Sequence, residues 1–169
     1  MKKLKPIYYI VFTAVIIGGI VLDQLSKLLA VKLLAPIGSV PLWEGVLHLT
    51  YVENRGAAFG MLADHRWVFM SISTIAITAI AIYLYSGRNT SKLYTSALML
   101  IVSGGIGNMI DRIALGYVVD FIDFALIDFA VFNIADSLVC IGAGLLVLAL
   151  VLDIIKEAKL EKAKRAGEK

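Results

Sequence analysis

Two aspartates stand where an acid is least expected. Asp120 is bracketed by Val118-Val119 and Phe121-Ile122, and Asp136 follows Phe132-Asn133-Ile134-Ala135. Neither has a Lys or Arg within a helical turn in sequence. A charged side chain in hydrocarbon costs at least ~2.5–3.5 kcal/mol, and intramembrane acids therefore point first to function. Two carboxyls brought together in a low-dielectric site cannot both ionise, so one keeps its proton. That arrangement supplies a base and an acid at one pH, enough to activate a water and protonate a leaving amine. The structural alternative is a helix-capping Asp136 and a loop Asp120.

Other catalytic arrangements fit less well. His48 and His65 are the two histidines, and neither belongs to an H-E-x-x-H metal motif. No G-x-S-x-G elbow is present. Gly104-Gly105-Ile106-Gly107 lies inside an apolar run, where small residues serve close helix packing rather than phosphate binding. Cys140 is the single cysteine and sits among Leu, Val and Ile, as a small apolar residue would. Neither a metal nor a cofactor is expected.

The elements that must carry these acids are membrane spans. The 169-residue chain is 60% hydrophobic and only 17% charged, against about 25% charged in ordinary soluble domains. Its mean hydropathy is +0.87. Spans are expected at about 7–27, 67–86, 93–115 and 134–155, each near the ~20 residues that cross ~30 Å of hydrocarbon. The lysine-rich N-terminus precedes an apolar run with no small-x-small cleavage site, so the first run reads as a retained span. Most of the sixteen Lys and Arg lie at the two ends and in the 87–92 turn. The positive-inside rule then places both termini in the cytoplasm. The chain is read as one integral membrane domain, 1–169, with a cytoplasmic tail at 156–169 that forms a short, fraying helix. Basic residues gathered at the ends, rather than on an aromatic-studded face, argue against nucleic acid.

The two outer connections, 36–66 and 116–133, are unlike ordinary loops. Residues 46–52 are rich in β-formers and predict a short strand, followed by a turn at Arg55-Gly56. Residues 116–133 are nearly as apolar as a span yet contain Asp120, Asp123 and Asp128, so they are expected to dip into the interface against protein. On this topology Asp23, Asn54, Asn108, Asp111, Arg112, Asp120, Asn133 and Asp136 all gather toward the outer face. Asp23 has Lys27 four residues on, in reach for an ion pair. Asp111-Arg112 reads as a possible ion pair ending the third span. Asn108 and Arg112, four apart, share a helix face.

These residues resemble a family. Asp23-Gln24-Leu25-Ser26-Lys27 is similar to the D-Q-x-[ST]-K signature of type II (lipoprotein) signal peptidases, and Asn54-Arg55-Gly56-Ala57-Ala58-Phe59 to their N-x-G-A-A-F segment. Residues 107–112 resemble G-N-x-x-D-R, 118–121 V-V-D-F and 132–137 F-N-x-A-D-S. Each motif is weak alone; five in the family's order extend over most of the chain. The resemblance implies a bacterial inner-membrane enzyme, a four-transmembrane-helix bundle of the membrane all-α class with a small β-rich extracytoplasmic cradle. It implies Asp120 and Asp136 as the catalytic pair, with Asp23, Asn54, Asn108, Asp111, Arg112, Asn133 and Ala135 lining or supporting the site. The implied substrate is a diacylglyceryl-modified prolipoprotein, cut just before its lipidated cysteine, with membrane lipids as the other partner. One departure is visible: many members carry a proline shortly before F-N-x-A-D, where this chain has Asp128-Phe129-Ala130-Val131.

Two other classes share the features of a buried acid cluster. A small transporter or proton-coupled channel, with the acids forming an ion path, would need polar residues reaching the inner face, and the second span and inner half of the third offer little beyond Ser and Thr. A magnesium-dependent lipid phosphotransferase would be expected to face cytoplasmic nucleotides, whereas this cluster faces out.

Overall fold

The computed structural model describes residues 5–56, 66–88 and 91–167. Among these residues are four α-helices: α1 (Pro6–Leu33), α2 (Arg66–Tyr85), α3 (Lys92–Ala114) and α4 (Ile134–Gly167). Three strands among the described residues, β1 (Ser39–Trp43), β2 (Leu47–Asn54) and β3 (Val118–Asp123), lie in the α1–α2 and α3–α4 connections. Pro6 stands at the start of α1, where its missing N–H costs nothing. At 28 residues α1 is roughly 42 Å long, more than a bilayer's hydrocarbon.

Among the described residues three helices are long and apolar enough to cross a membrane: α1, α3 and α4. The described apolar part of α2 is shorter, Met70–Tyr85. Large apolar side chains face outward along the helices, Ile10 at 64%, Ile75 at 70% and Ile154 at 65% exposed. In water such surface would drive aggregation; in lipid it is the solvated face. The fold is of membrane type, helices with a small three-stranded sheet.

Helix α3 is the centre of the bundle and packs against α1, α2 and α4. It can do so because small residues let neighbouring backbones approach. A Cβ on Gly104 would strike the carbonyl oxygen of Ala135 and stand 2.9 Å from Val139 Cγ2. One on Gly107 would stand 2.6 Å from Asp23 Oδ2. Toward the end away from the sheet, Phe12, Ile16, Leu84, Leu98, Met99 and Val102 form the main apolar cluster. Overpacking a close contact costs about 1–3 kcal/mol. Gly104→Ala is therefore expected to lower thermal stability in detergent by an amount in that range, and to displace the start of α4. An unchanged melting curve would show that α3 and α4 are not in this contact.

At the opposite end the sheet runs antiparallel in the order β1-β2-β3. Val52 pairs with Asp120 and Asn54 with Val118, past an irregularity between Leu49 and Val52. The chain turns from α3 into β3 through Gly116, whose φ of 86° lies in the region glycine adopts freely. This tight exit places Asp120 beside the end of the helix that carries Asn108 and Asp111. Ala30, Leu34, Val119 and Phe121 bury the other side of β3 against α1. Beyond a short 3-10 turn (Ala125–Ile127), Asp128 takes a φ of 49° and Phe132 bridges back to Ile122. This is the stretch that departs from the proline pattern.

The four helices overlap the four apolar segments singled out in the sequence, α1 running about six residues further and α4 about twelve. The helix expected in the tail is present as far as Gly167, as an unbroken continuation of α4 that its Lys, Glu and Ala content favours. The strand expected over 46–52 is β2, one residue later at its start. β1 and β3 were not individually expected.

Candidate active site

Asn133 is the residue around which the site is built. It precedes α4, and its Oδ1 accepts the Asp136 backbone N–H at 2.9 Å while Asp136 Oδ2 accepts the Asn133 N–H at 3.2 Å. This is a reciprocal cap, two orphan donors of a helix start satisfied by each other's side chains. The same Asn133 turns its Nδ2 to Asp120 Oδ1 at 2.6 Å and to Asn108 Oδ1 at 3.0 Å. Asn108 Nδ2 donates to Asp136 Oδ1 at 2.7 Å, and Asn54 Nδ2 donates to Asp120 Oδ2 at 2.9 Å. Three asparagines from β2, α3 and the α4 cap thus hold two aspartates from β3 and α4. Asn133 is 0% and Asp120 1% exposed.

The Asp120 carboxyl is pushed up to about 6, chiefly by burial and further by the charge of Asp136; the Asn54 and Asn133 donors work against the rise. The folded state therefore holds this proton more tightly than the unfolded chain. Its contribution to stability is fully present below pH 4 and is lost as pH rises through about 6. A plot of melting temperature against pH should show this downward slope between 4 and 6, and Asp120→Asn, with no proton to lose, should flatten it. The same slope in the variant would assign it to another group.

Behind the acids lies a second polar layer. Lys27 Nζ contacts Asp23 Oδ2 at 2.9 Å, Asp111 Oδ2 at 3.0 Å and Asn108 Oδ1 at 2.8 Å. Gln24 Nε2 bridges Asp23 Oδ2 and Asp111 Oδ1 at 3.2 and 2.9 Å. Asp23 Oδ1 accepts the Ala135 N–H at 2.8 Å, and Asp111 Oδ2 accepts the Val119 N–H at 3.1 Å. Each of these two N–H groups belongs to the residue just before one of the paired aspartates. Among the described residues no buried side-chain polar atom lacks a partner.

In front of the acids opens a cavity of about 650 Å³. Asn54, Asn108, Arg112, Asp120 and Asp136 form its polar end, and Phe124, Ile127, Phe129, Phe132 and Ile141 much of its apolar wall. Of the residues read from sequence, those first five face the cavity, while Asp23, Asp111, Asn133 and Ala135 are buried and support it. The Asp23–Lys27 pair is present. Asp111 takes Lys27 rather than Arg112 as its ionic partner, and Arg112 Nη1 instead donates to Asn108 O at 3.4 Å. Adjacent helical residues point about 100° apart, so Asp111 and Arg112 cannot both face the same space. The contacts that Gln24 and Lys27 make with α3 have no counterpart in the sequence reading, where the two residues stand out only as members of the D-Q-x-[ST]-K segment and, for Lys27, as the i, i+4 partner of Asp23. Ala57, Ala58, Phe59 and His65 lie outside the described residues.

The geometry is matched by kinship. Residues 15–152 fit the family model described as signal peptidase (SPase) II. The chain belongs to the signal peptidase II family. A lipoprotein signal peptidase of Halothermothrix orenii is 47% identical over 136 residues, covering 80% of this chain and 92% of that protein. One of Geobacter sulfurreducens is 40% identical over 161 residues, covering 92% and 98%. A solved bacterial membrane enzyme, determined by the in meso method at 2.3 Å resolution, superposes with a TM-score of 0.80 at 32% identity. It covers 91% of this chain and 94% of that one. As a signal peptidase II family member the chain is a membrane aspartic protease.

Proposed function

We propose that this chain is an aspartic endopeptidase of the bacterial inner membrane that removes the signal peptide from diacylglyceryl-modified prolipoproteins. The observation that carries this is the pairing of Asp120 and Asp136, held by shared asparagines at the polar end of a cavity whose wall is apolar. The two acids share one proton. The ionised member takes a proton from a water, whose oxygen attacks the carbonyl carbon preceding the lipidated cysteine. The protonated member gives its proton to the cysteine nitrogen as the C–N bond breaks, leaving a free amine and a new carboxyl group. Arg112, with Asp111 already engaged by Lys27, is free to orient the substrate backbone. Asp23, Asp111, Asn133 and Ala135 hold the frame, and Asn54 and Asn108 hold the acids.

The reading includes four spans, with α2 crossing as the fourth, both termini cytoplasmic, and the site toward the outer face. A prolipoprotein tethered by its lipid presents its scissile bond at that depth, with acyl chains in the bilayer. The proposed reaction needs no metal, since the acid pair itself supplies the base that activates the water and the acid that protonates the leaving amine. The test is cleavage of a synthetic diacylglyceryl-modified prolipoprotein peptide by the purified protein in detergent, with and without EDTA. The expected result is a single cut before the lipidated cysteine, at the same rate in both. No cut by folded protein, or a cut abolished by EDTA, would overturn the proposal.

A further inference from the structure

Lys27 is an ammonium buried to 3% exposure that is absent from the cavity wall. An ammonium has three N–H donors and no acceptor. Here all three are spent, on Asp23, Asp111 and the Asn108 side-chain oxygen. The first two contacts compensate charge, as a buried ion must be compensated. The third is different, because it decides a direction. An asparagine amide can present either its oxygen or its NH₂ to a neighbour, and the choice follows from its other partners. With Lys27 donating to Oδ1, and Asn133 Nδ2 donating to the same oxygen, the Asn108 NH₂ can only face Asp136.

We propose that Lys27 is a positioning residue for the reaction: its ammonium locks the Asn108 amide so that the NH₂ group is held against Asp136. Through Asp23 and Asp111 it also steadies the N–H groups of Ala135 and Val119, the residues that lead into Asp136 and Asp120. Lys27 therefore reaches Asp136 through the Asn108 side chain, and Asp120 through Asp111 and the Val119 backbone, without touching substrate. Released from Lys27, the Asn108 amide can turn its oxygen toward Asp136, where an acceptor against a carboxylate favours the protonated acid. The charged groups bearing on the pair are Lys27 and Asp23 from α1, Asp111 and Arg112 from α3, and the two acids themselves; β2 contributes the neutral Asn54.

The inference rests on reading Asp120 and Asp136 as the reacting acids, so Asp120→Asn is run alongside as an inactive reference. The variants are Lys27→Met and the double Lys27→Met, Asp23→Asn. The double removes one positive and one negative charge together, leaving the net charge of the buried cluster unchanged, and Asn can still accept the Ala135 N–H. It keeps the question answerable where the single variant does not fold. Cleavage of the lipidated peptide is followed as kcat and KM across pH. The expected result is a kcat lowered about 100-fold, the scale of a misplaced catalytic group, with KM within about twofold of wild type. The acidic limb of the kcat/KM profile should also move to higher pH. A folded double variant with wild-type kcat and profile overturns the assignment. So does a fall in kcat matched by a rise in KM with the limb unmoved, which is the mark of general structural damage. Cleavage by Asp120→Asn would instead defeat the reading of the acids, independently of Lys27.

Discussion

Asp120→Asn and Asp136→Asn should each reduce the rate of cleavage by about 10³-fold or more, within the 10²–10⁴ range of a lost acid–base group compounded by its partner's failure. The substitutions keep the side chain's shape and remove its ability to exchange a proton. They also place an NH₂ group where only an acceptor fits. At Asp120 both oxygens receive N–H donors, from Asn54 and Asn133, so one donor meets another. At Asp136 the donors are Asn108 and the Asn133 backbone. Each variant therefore carries a local penalty on the order of 1 kcal/mol, too small to prevent folding. Because the two acids act as one unit, the double variant should be hardly slower than either single one. Initial rates on the diacylglyceryl-modified peptide, normalised to folded protein in detergent, measure this. Activity within tenfold of wild type in either single variant would remove that residue from the chemistry.

What could be read in the sequence follows from what kind of signal each part carries. The helices were legible because a span must satisfy its backbone internally and expose apolar side chains to lipid, which leaves long uncharged runs. The gathering of the polar cluster was legible for the complementary reason, since Asp23, Asn108, Asp111 and Asp136 interrupt those runs toward one end. β2 was legible from its β-formers. β3 was not: Val118, Val119, Asp120 and Phe121 are all buried, so the strand lacks the alternation that marks a half-exposed one. β1 is five residues long, contains Pro41 and is mostly exposed, so neither pattern nor burial announces it. The partner of Asp111 was hidden by distance along the chain, Arg112 being adjacent and Lys27 a whole helix away. The hydrogen-bond directions among the asparagines are properties of the assembled cluster and have no one-dimensional signature.

Asn133→Ala is expected to have the second large effect, and to differ from the aspartate variants in kind. The side chain performs two functions at once. It caps α4 through the Asp136 N–H, and it ties Asp120 to Asn108 across the base of the cavity. Removing a helix cap of this type costs about 1–2 kcal/mol. Leaving a buried Asp120 oxygen without its donor adds about 1–3 kcal/mol. Asn133→Ala should therefore lose cleavage about as completely as Asp120→Asn and also melt several degrees lower. Asn133→Ser separates the two functions. A serine hydroxyl can still cap the Asp136 N–H, so most of the thermal stability should return, but it is too short to bridge Asp120 and Asn108. Cleavage should stay at least about 100-fold below wild type, the scale of a misplaced catalytic group. If Asn133→Ser recovers activity together with stability, then Asn133 matters only as the cap of α4. Stability restored without activity means that the orientation of Asp120, not the integrity of the helix, is what the amide supplies.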